Sequence, residues 1–456
     1  MHLWTLDVLL PLDTKPFQVQ MPPKFNDQPP TTEASNKSSV VSNTPARPGR
    51  NADYYPDSAG ALMEHIRGSI FNEKLIALEP KFSDVFLNKA PPLDNVRLMA
   101  LEKSLDFTFS GLVDQISKAS LEKAMYPPIA RLLSALTLLV NVDQQDRCLS
   151  LPPDKLWMAI GIATRAPQAS FSHPGHKTDI GSVPATKESI RDFIKSGKNY
   201  SWPLDWGSMG YTGEVRPRCM PMTDSNTTLD EKAQAVSYAW SCSRHQVNRG
   251  GFLAFYGCSD GVQFIWYGVS KVKISPPFKW DDFPKLFSFV YATHRKENML
   301  EDGRLCLGFN ENNCRVPSVL PWHGTDYELV TFTLDDGWRR KRFIAGACSS
   351  NGSVAVVKLI WRQYGRRLRE TETCEAVHMD GLVAGVVTLL GAQDSMPIYE
   401  LLPGEVKTTT TYERQILVYD MIGESLCSCG SVKTFLIAMF DLVESIFTYL
   451  FYYDDI

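Results

Sequence analysis

A chain of 456 residues is long enough for two or three domains, and 44% apolar with 21% charged residues is a balance that builds an ordinary core. A net charge of −4 excludes a global electrostatic pull toward nucleic acid or an anionic membrane. Ten cysteines without a regular framework exclude a disulfide scaffold and point to reduced thiols inside a cell.

In chain order, MHLWTLDVLLPLD lacks an early basic residue and carries Asp7 in its apolar part. It does not read as a signal peptide, so an intracellular setting, cytoplasmic or nuclear, is expected. Residues 1–55 are rich in Pro, Ser, Thr and Asn and are expected to be a disordered tail. Residues 56–164 form a helical region. GALMEHIRGSIF, RLMALEKSLDFTFSGLVDQI and IARLLSALTLLVNV carry apolar residues at three- and four-residue spacing, and Pro127-Pro128 is expected to break the run before the last helix.

Residues 165–325 read as a mixed αβ domain. A loop is expected over 165–186, then a short helix in KESIRDFIKSGK, a strand in YTGEVRPR and a helix over Asp230–Gln246. GGFLAFYGCSDGVQFIWYGVSKVKI reads as a hairpin turning at Ser259-Asp260-Gly261. KWDDFPKLFSFVYATHRK reads as a helix and residues 301–324 as a linker. The remainder, 326–456, opens with strands in YELVTFTLDDG and FIAGACSSNGSVAVVKLIW, with Lys358 at the end of the second strand. It closes on an apolar stretch over 434–453, which Asp441 and Glu444 mark as a buried or amphipathic helix and not a membrane span.

A lysine on an apolar strand, followed by a basic turn and a helix with glutamates, is the layout of a protein-kinase N-lobe. VVKLIWRQYGRRLRETETCEAVHMDGLVAGVV, and then YERQILVYDMIGESLCSCGSVKTFLIAMFDLVESI, resemble the fungal-type protein kinase family over roughly residues 330–450. The resemblance implies ATP as the nucleotide and Lys358 as the lysine that pairs its phosphates. It implies Glu370 as the lysine's helix partner, with Glu372 as the alternative. Gly337 falls in the phosphate-covering loop, and Tyr419 and Met421 on the hinge that meets adenine.

The departures from that family are large. Trp338, Arg339, Arg340 and Lys341 stand where small residues belong, and neither H-R-D-x-x-x-x-N nor D-F-G is found in the sequence. No catalytic residue is assigned, and Mg²⁺ is not expected. The expectation is a catalytically inactive kinase-like binding or regulatory protein with at most vestigial ATP affinity. A protein partner would cover the C-terminal helices. The alternatives are a fragment of an active ATP-dependent Ser/Thr kinase, or a nuclease-like protein that binds nucleic acid.

Within the same resemblance, the middle region looks like a PD-(D/E)xK nuclease-type core. Such a core holds Mg²⁺ between two carboxylates at strand ends and uses a lysine to polarise the attacking water. The matching positions are Asp179 in HKTDIG, Glu214 and Arg216 in GEVRPR, and Gln234 and Tyr238 at Q-x-x-x-Y spacing. Arg216 stands in place of the lysine and Thr178 in place of the proline, so a degenerate, non-hydrolytic site is expected. Altogether the fold expected is α+β: a helical N-terminal region, this αβ middle domain, and a partial kinase-like N-lobe with the first C-lobe helices. GCSDG matches a nucleophile elbow by letter only, because a strand and not a helix is expected after Ser259.

Overall fold

A computed structural model describes residues 76–78, 80–87, 89–162, 177–197, 205–217, 227–268, 272–309, 315–335, 342–363, 370–379, 388–394 and 412–420, and all of these belong to one compact unit. The expected tail over 1–55 and the expected helix over 434–453 lie outside them, as do Gly337 and Met421. The class is α+β: two seven-stranded sheets with helices packed on them. No helix among the described residues is long and apolar enough to cross a membrane.

The first sheet contains β1 (Ile76–Leu78), β2 (Leu156–Gly161), β3 (Ile180–Ala185), β4 (Tyr211–Arg216), β5 (Gly251–Cys258), β6 (Gly261–Gly268) and β7 (Val272–Ile274). Its spatial order is β1-β7-β6-β5-β4-β3-β2. Strands β2, β3 and β4 pair antiparallel in turn, whereas β4 and β5 pair in parallel. The parallel pair needs a crossover, which α5 (Thr227–His245) makes. Helices α1 (Asn95–Leu105), α2 (Phe109–Lys118) and α3 (Glu122–Thr137) lie between β1 and β2 in the chain; α4 (Lys187–Ser196) follows β3 and α6 (Phe283–Thr293) follows β7. Strands β5 and β6 are buried at every position, so their sequences run as continuous aromatic and β-branched stretches. In β4, a Cβ on Gly213 would lie 2.2 Å from the Phe255 ring, so only glycine lets these two strands meet.

The region expected to be helical, 56–164, also supplies β1 and β2 to the first sheet, and its helices differ from the sequence pattern in two places. The long second pattern is two helices, separated where Asp106 takes the left-handed conformation (φ 54°). Pro127 and Pro128 lie inside α3 and do not end it. Their missing N–H groups remove the usual helical donors to the carbonyls of residues 123 and 124, and both residues are exposed to water. The expected loop over 165–186 also contains β3. Its six-residue IGSVPA sequence is broken by Gly181 and Pro184, and its partner β4 begins only at Tyr211.

The second sheet contains β8 (Cys306–Phe309), β9 (Arg315–Trp322), β10 (Thr325–Asp335), β11 (Arg342–Ser349), β12 (Val354–Gln363), β13 (Leu389–Asp394) and β14 (Tyr412–Tyr419), in the order β13-β14-β12-β11-β10-β9-β8. Every pairing in it is antiparallel. Helix α7 (Glu370–Val377) follows β12. The sheet curls: a Cβ on Gly391 in β13 would come 3.2 Å from Trp322 in β9, although four strands lie between them in the sheet order. The segment read as a linker, 301–324, supplies β8 and β9. Lys358 lies in the middle of β12, not at its end.

Charged side chains pin this sheet to the first. Arg249, just before β5, is fully buried and pairs with Glu301 at 3.0 Å. Cys148 and Ser150 complete the group: the Cys148 thiol donates to Glu301 (2.7 Å), and Arg249 donates to both side chains. Arg414 of β14, also fully buried, pairs with Asp302. A Cβ on Gly250 would lie 2.5 Å from the Trp361 ring of β12. Among the described cysteines, Cys148, Cys242, Cys306, Cys348 and Cys374 are free thiols. Cys258 is disulfide-bonded, so reduced thiols throughout are not what the structure holds.

Candidate functional site

The site is assembled at one end of the first sheet. Glu214 and Arg216 are two residues apart on β4 and therefore share a face. Asp179 immediately precedes β3, the neighbour of β4, and its Oδ2 accepts the backbone N–H of Val215 at 2.8 Å. That bond fixes the Asp179 carboxylate beside Glu214. Gln234 and Tyr238 are one turn apart on α5, and the Gln234 amide donates to the Tyr238 hydroxyl at 2.6 Å. All five residues expected from the sequence are thus brought together.

Two further residues come from α3. Glu122 opens that helix, where the positive end of the macrodipole favours a carboxylate, and Tyr126 follows one turn later. The Tyr126 hydroxyl lies 2.6 Å from Asp179 Oδ1 and also contacts Glu122 Oε1. A phenol has a single proton to give, so two such contacts require a carboxyl that brings its own. The signal for this pair was legible as EKAMY, an acid and a tyrosine at helical spacing. It was hidden by the two prolines that follow.

Arg216 joins the three elements. Its Nη1 donates to Glu122 Oε2 at 2.8 Å and its Nη2 donates to Gln234 Oε1 at 2.8 Å. Nη2 also lies 2.6 Å from Glu214 Oε1. Thr178, at the position of the expected proline, is buried, and its hydroxyl reaches the carbonyls of Ile180 (2.8 Å) and Gly213 (3.0 Å). It ties β3 to β4 through a polar bridge that proline lacks.

The electrostatics follow from this packing. Burial, and then the Asp179 charge beside it, push the Glu214 carboxyl well above the usual carboxylate range; Arg216 pulls the other way. Burial also raises Asp179, against hydrogen bonds from Tyr126 and the Val215 backbone. The Tyr126 and Tyr238 hydroxyls are pushed up by burial and then by the neighbouring acids. Burial works against the Arg216 charge, but Glu214 and Glu122 overcome it and hold the guanidinium above its ordinary value.

A hydrated Mg²⁺ needs ionised carboxylates and open positions for water. The residues present do not fit that ion. The cation among the carboxyl groups is the guanidinium of Arg216, and the two central acids are pushed toward their neutral forms. Nor does an arginine supply the proton-exchanging amine that water activation uses.

The second group of expected residues lies on the second sheet. Lys358 pairs with Ile344 on one side and Leu417 on the other, and alternation puts it on the face of Val356 and Ile360. That face holds a small apolar cluster of Ile360, Leu417 and Tyr419, with Val356, Leu389 and Cys374 of α7 against it. Lys358 and α7 therefore share one face of the sheet. Glu370 is the first residue of α7, but its side chain lies outside the described ones; Glu372 is exposed. The Tyr419 side chain is buried at the end of β14, whose backbone lies in register with Val356 on one side and Leu389 on the other. Ser259 sits in the turn between β5 and β6, as the hairpin reading requires.

Comparison with known proteins brings no relative to bear on either group: no protein-family model, no curated protein and no solved structure matches this chain.

Proposed function

We propose that the chain is a binding or regulatory protein built on a nuclease-type αβ core that does not hydrolyse phosphodiesters. One observation carries this reading. The Arg216 guanidinium contacts Glu122 and Glu214 at 2.8 and 2.6 Å, in the position where a hydrolytic site keeps a metal ion and an exchangeable amine. The strand and helix order around the cluster supports it: α3, three antiparallel strands β2–β4, the crossover α5, then β5 parallel to β4. The test is incubation of the full chain with labelled single- and double-stranded DNA and RNA in Mg²⁺ or Mn²⁺. No metal-dependent cleavage is expected. Cleavage that disappears in Asp179→Asn would overturn the proposal. A gel-shift titration of the same nucleic acids, with retained binding but no cleavage, would identify the ligand class.

A second reading concerns the other sheet and rests on Lys358 sharing a face with α7. In the kinase-like layout, that arrangement lets a helix glutamate hold the lysine against nucleotide phosphates. This reading predicts a small ATP-dependent rise in melting temperature that Lys358→Ala removes. An ATP effect that survives Lys358→Ala would count against it.

A further inference from the structure

We infer that the side chains around Arg216 close into one hydrogen-bonded ring that holds two protons, and that this pair of protons is a pH-sensitive latch between α3, β4 and α5. The inference rests on the functional reading in one respect: it concerns how that same binding site is held closed.

The ring can be followed link by link. From Arg216, one nitrogen reaches Glu122 at 2.8 Å and the other reaches Gln234 at 2.8 Å. On the α3 side, Glu122 contacts the Tyr126 hydroxyl, which lies 2.6 Å from Asp179. On the α5 side, Gln234 donates to the Tyr238 hydroxyl, which in turn hydrogen-bonds Glu214. A side-chain hydrogen bond between Asp179 and Glu214 closes the circle.

Donor count fixes the number of protons. The links Glu122–Tyr126, Tyr126–Asp179 and Asp179–Glu214 each join oxygen to oxygen, and the phenol supplies one proton for the three. The other two are carboxyl protons. Charge gives the same number independently: three carboxylates against one guanidinium leave two negative charges in a largely buried place, and two protons cancel them. Glu214 is fully buried and takes one. The second sits on Asp179 or Glu122 and passes between them through Tyr126, whose hydroxyl gives one proton as it accepts another. Burial lifts Glu214 well above the usual carboxylate range and raises Asp179, in line with this placement. Glu122, 31% exposed, connects the relay to water. On the neighbouring strand, the buried Tyr256 is in register with Glu214; Lys123 and Lys177, beside Glu122 and Thr178 in the chain, are exposed. When the two protons leave, two of the three links lose their donors and the acids repel, which frees α3 from β4.

The test counts protons. The full chain is unfolded in urea at pH 7 in weakly buffered solution, and the protons released are read with a pH-indicator dye. Glu214→Gln removes one acid with its proton, so wild type is expected to release about one proton more than this variant. Arg216→Gln removes the positive charge, so neutrality draws a third proton into the cluster, and this variant is expected to release about one proton more than wild type. Release on unfolding also gives the latch its sign, because a closed form that holds extra protons weakens as pH rises. If Glu214→Gln does not fold, Asp179→Asn keeps the acceptor for the Val215 N–H and takes its place with the same expected count. Infrared absorption of folded wild type at pH 7 is a separate measurement, and it is expected to show the carbonyl band of protonated carboxyls. Equal proton release by wild type and the acid-to-amide variants overturns the inference, as does a wild type without that band. None of these readings involves nucleic acid, so their failure leaves the functional reading standing. Metal-dependent cleavage overturns that reading alone.

Discussion

Replacing Arg216 by alanine leaves Glu122, Asp179 and Glu214 facing one another without their cation. A fully buried pair broken in this way is costly, but the Arg216 side chain keeps 31% of its exposure, so the expected loss is about 1–3 kcal/mol. Urea denaturation of the full chain measures it. Arg216→Lys should recover less than half, because an ammonium cannot bridge two elements with fixed geometry. Thr178→Val is the quieter control: it removes a hydroxyl that reaches two buried carbonyls and should cost about 1–2 kcal/mol without altering the charge of the cluster. At this scale the sequence was informative where a side chain's partners lie in a recognisable local pattern. Gln234 and Tyr238 at i, i+4 and Glu214-x-Arg216 on one strand were such patterns. Glu122 and Tyr126 were not found, because their relation to Asp179 spans more than fifty residues and depends on how α3 lies against β3.

The elements show the same division between local and distant causes. Helix α4 was legible as KESIRDFIKSGK, and its ends are local too: the Thr186 hydroxyl accepts from the Ser189 N–H and Gly197 stops it at φ 62°. The β5–β6 hairpin was legible from its aromatic runs and turn. Strands β3, β8 and β9 were not: β3 is short and broken by Gly181 and Pro184, and β8 and β9 carry Gly308, Pro317 and Pro321 in place of a clean alternation, although β9 pairs with its chain neighbours β8 and β10. Lys358 looked terminal because RQYGRR follows Leu359-Ile360-Trp361, yet β14 holds β12 through Gln363. The pairing of β4 with β5 depends on one missing Cβ. Gly213→Ala forces a methyl group into the Phe255 ring at the centre of the sheet and should cost about 2–4 kcal/mol, read by chemical denaturation. A variant as stable as wild type would mean that β4 and β5 are not packed as described.

For the molecule as a whole, the cluster makes stability depend on pH with a definite sign. Asp179 and Glu214 have folded pKa values raised above the unfolded ones, so the folded state holds protons that the unfolded state releases. Their contribution is full below the ordinary carboxyl range, near pH 4, and is lost as pH rises through the raised folded values. Glu214→Gln mimics the protonated acid, so it should flatten the fall in melting temperature between pH 5 and pH 8. A fall in wild-type stability toward pH 5 that Glu214→Gln abolishes would mean that this carboxyl is held ionised. At this scale, α+β was legible from alternating helical and strand patterns. The attachment of the two sheets was not, because it rests on Arg249 with Glu301 and Arg414 with Asp302, pairs whose members are up to 112 positions apart. The most direct measurement is a crystal structure of the full chain soaked in Mn²⁺, with the anomalous signal of the metal mapped over the cluster. The account predicts the Arg216 guanidinium in place between Glu122 and Glu214 and no manganese peak there. A peak within coordinating distance of Asp179 and Glu214, with Arg216 swung out, would contradict it.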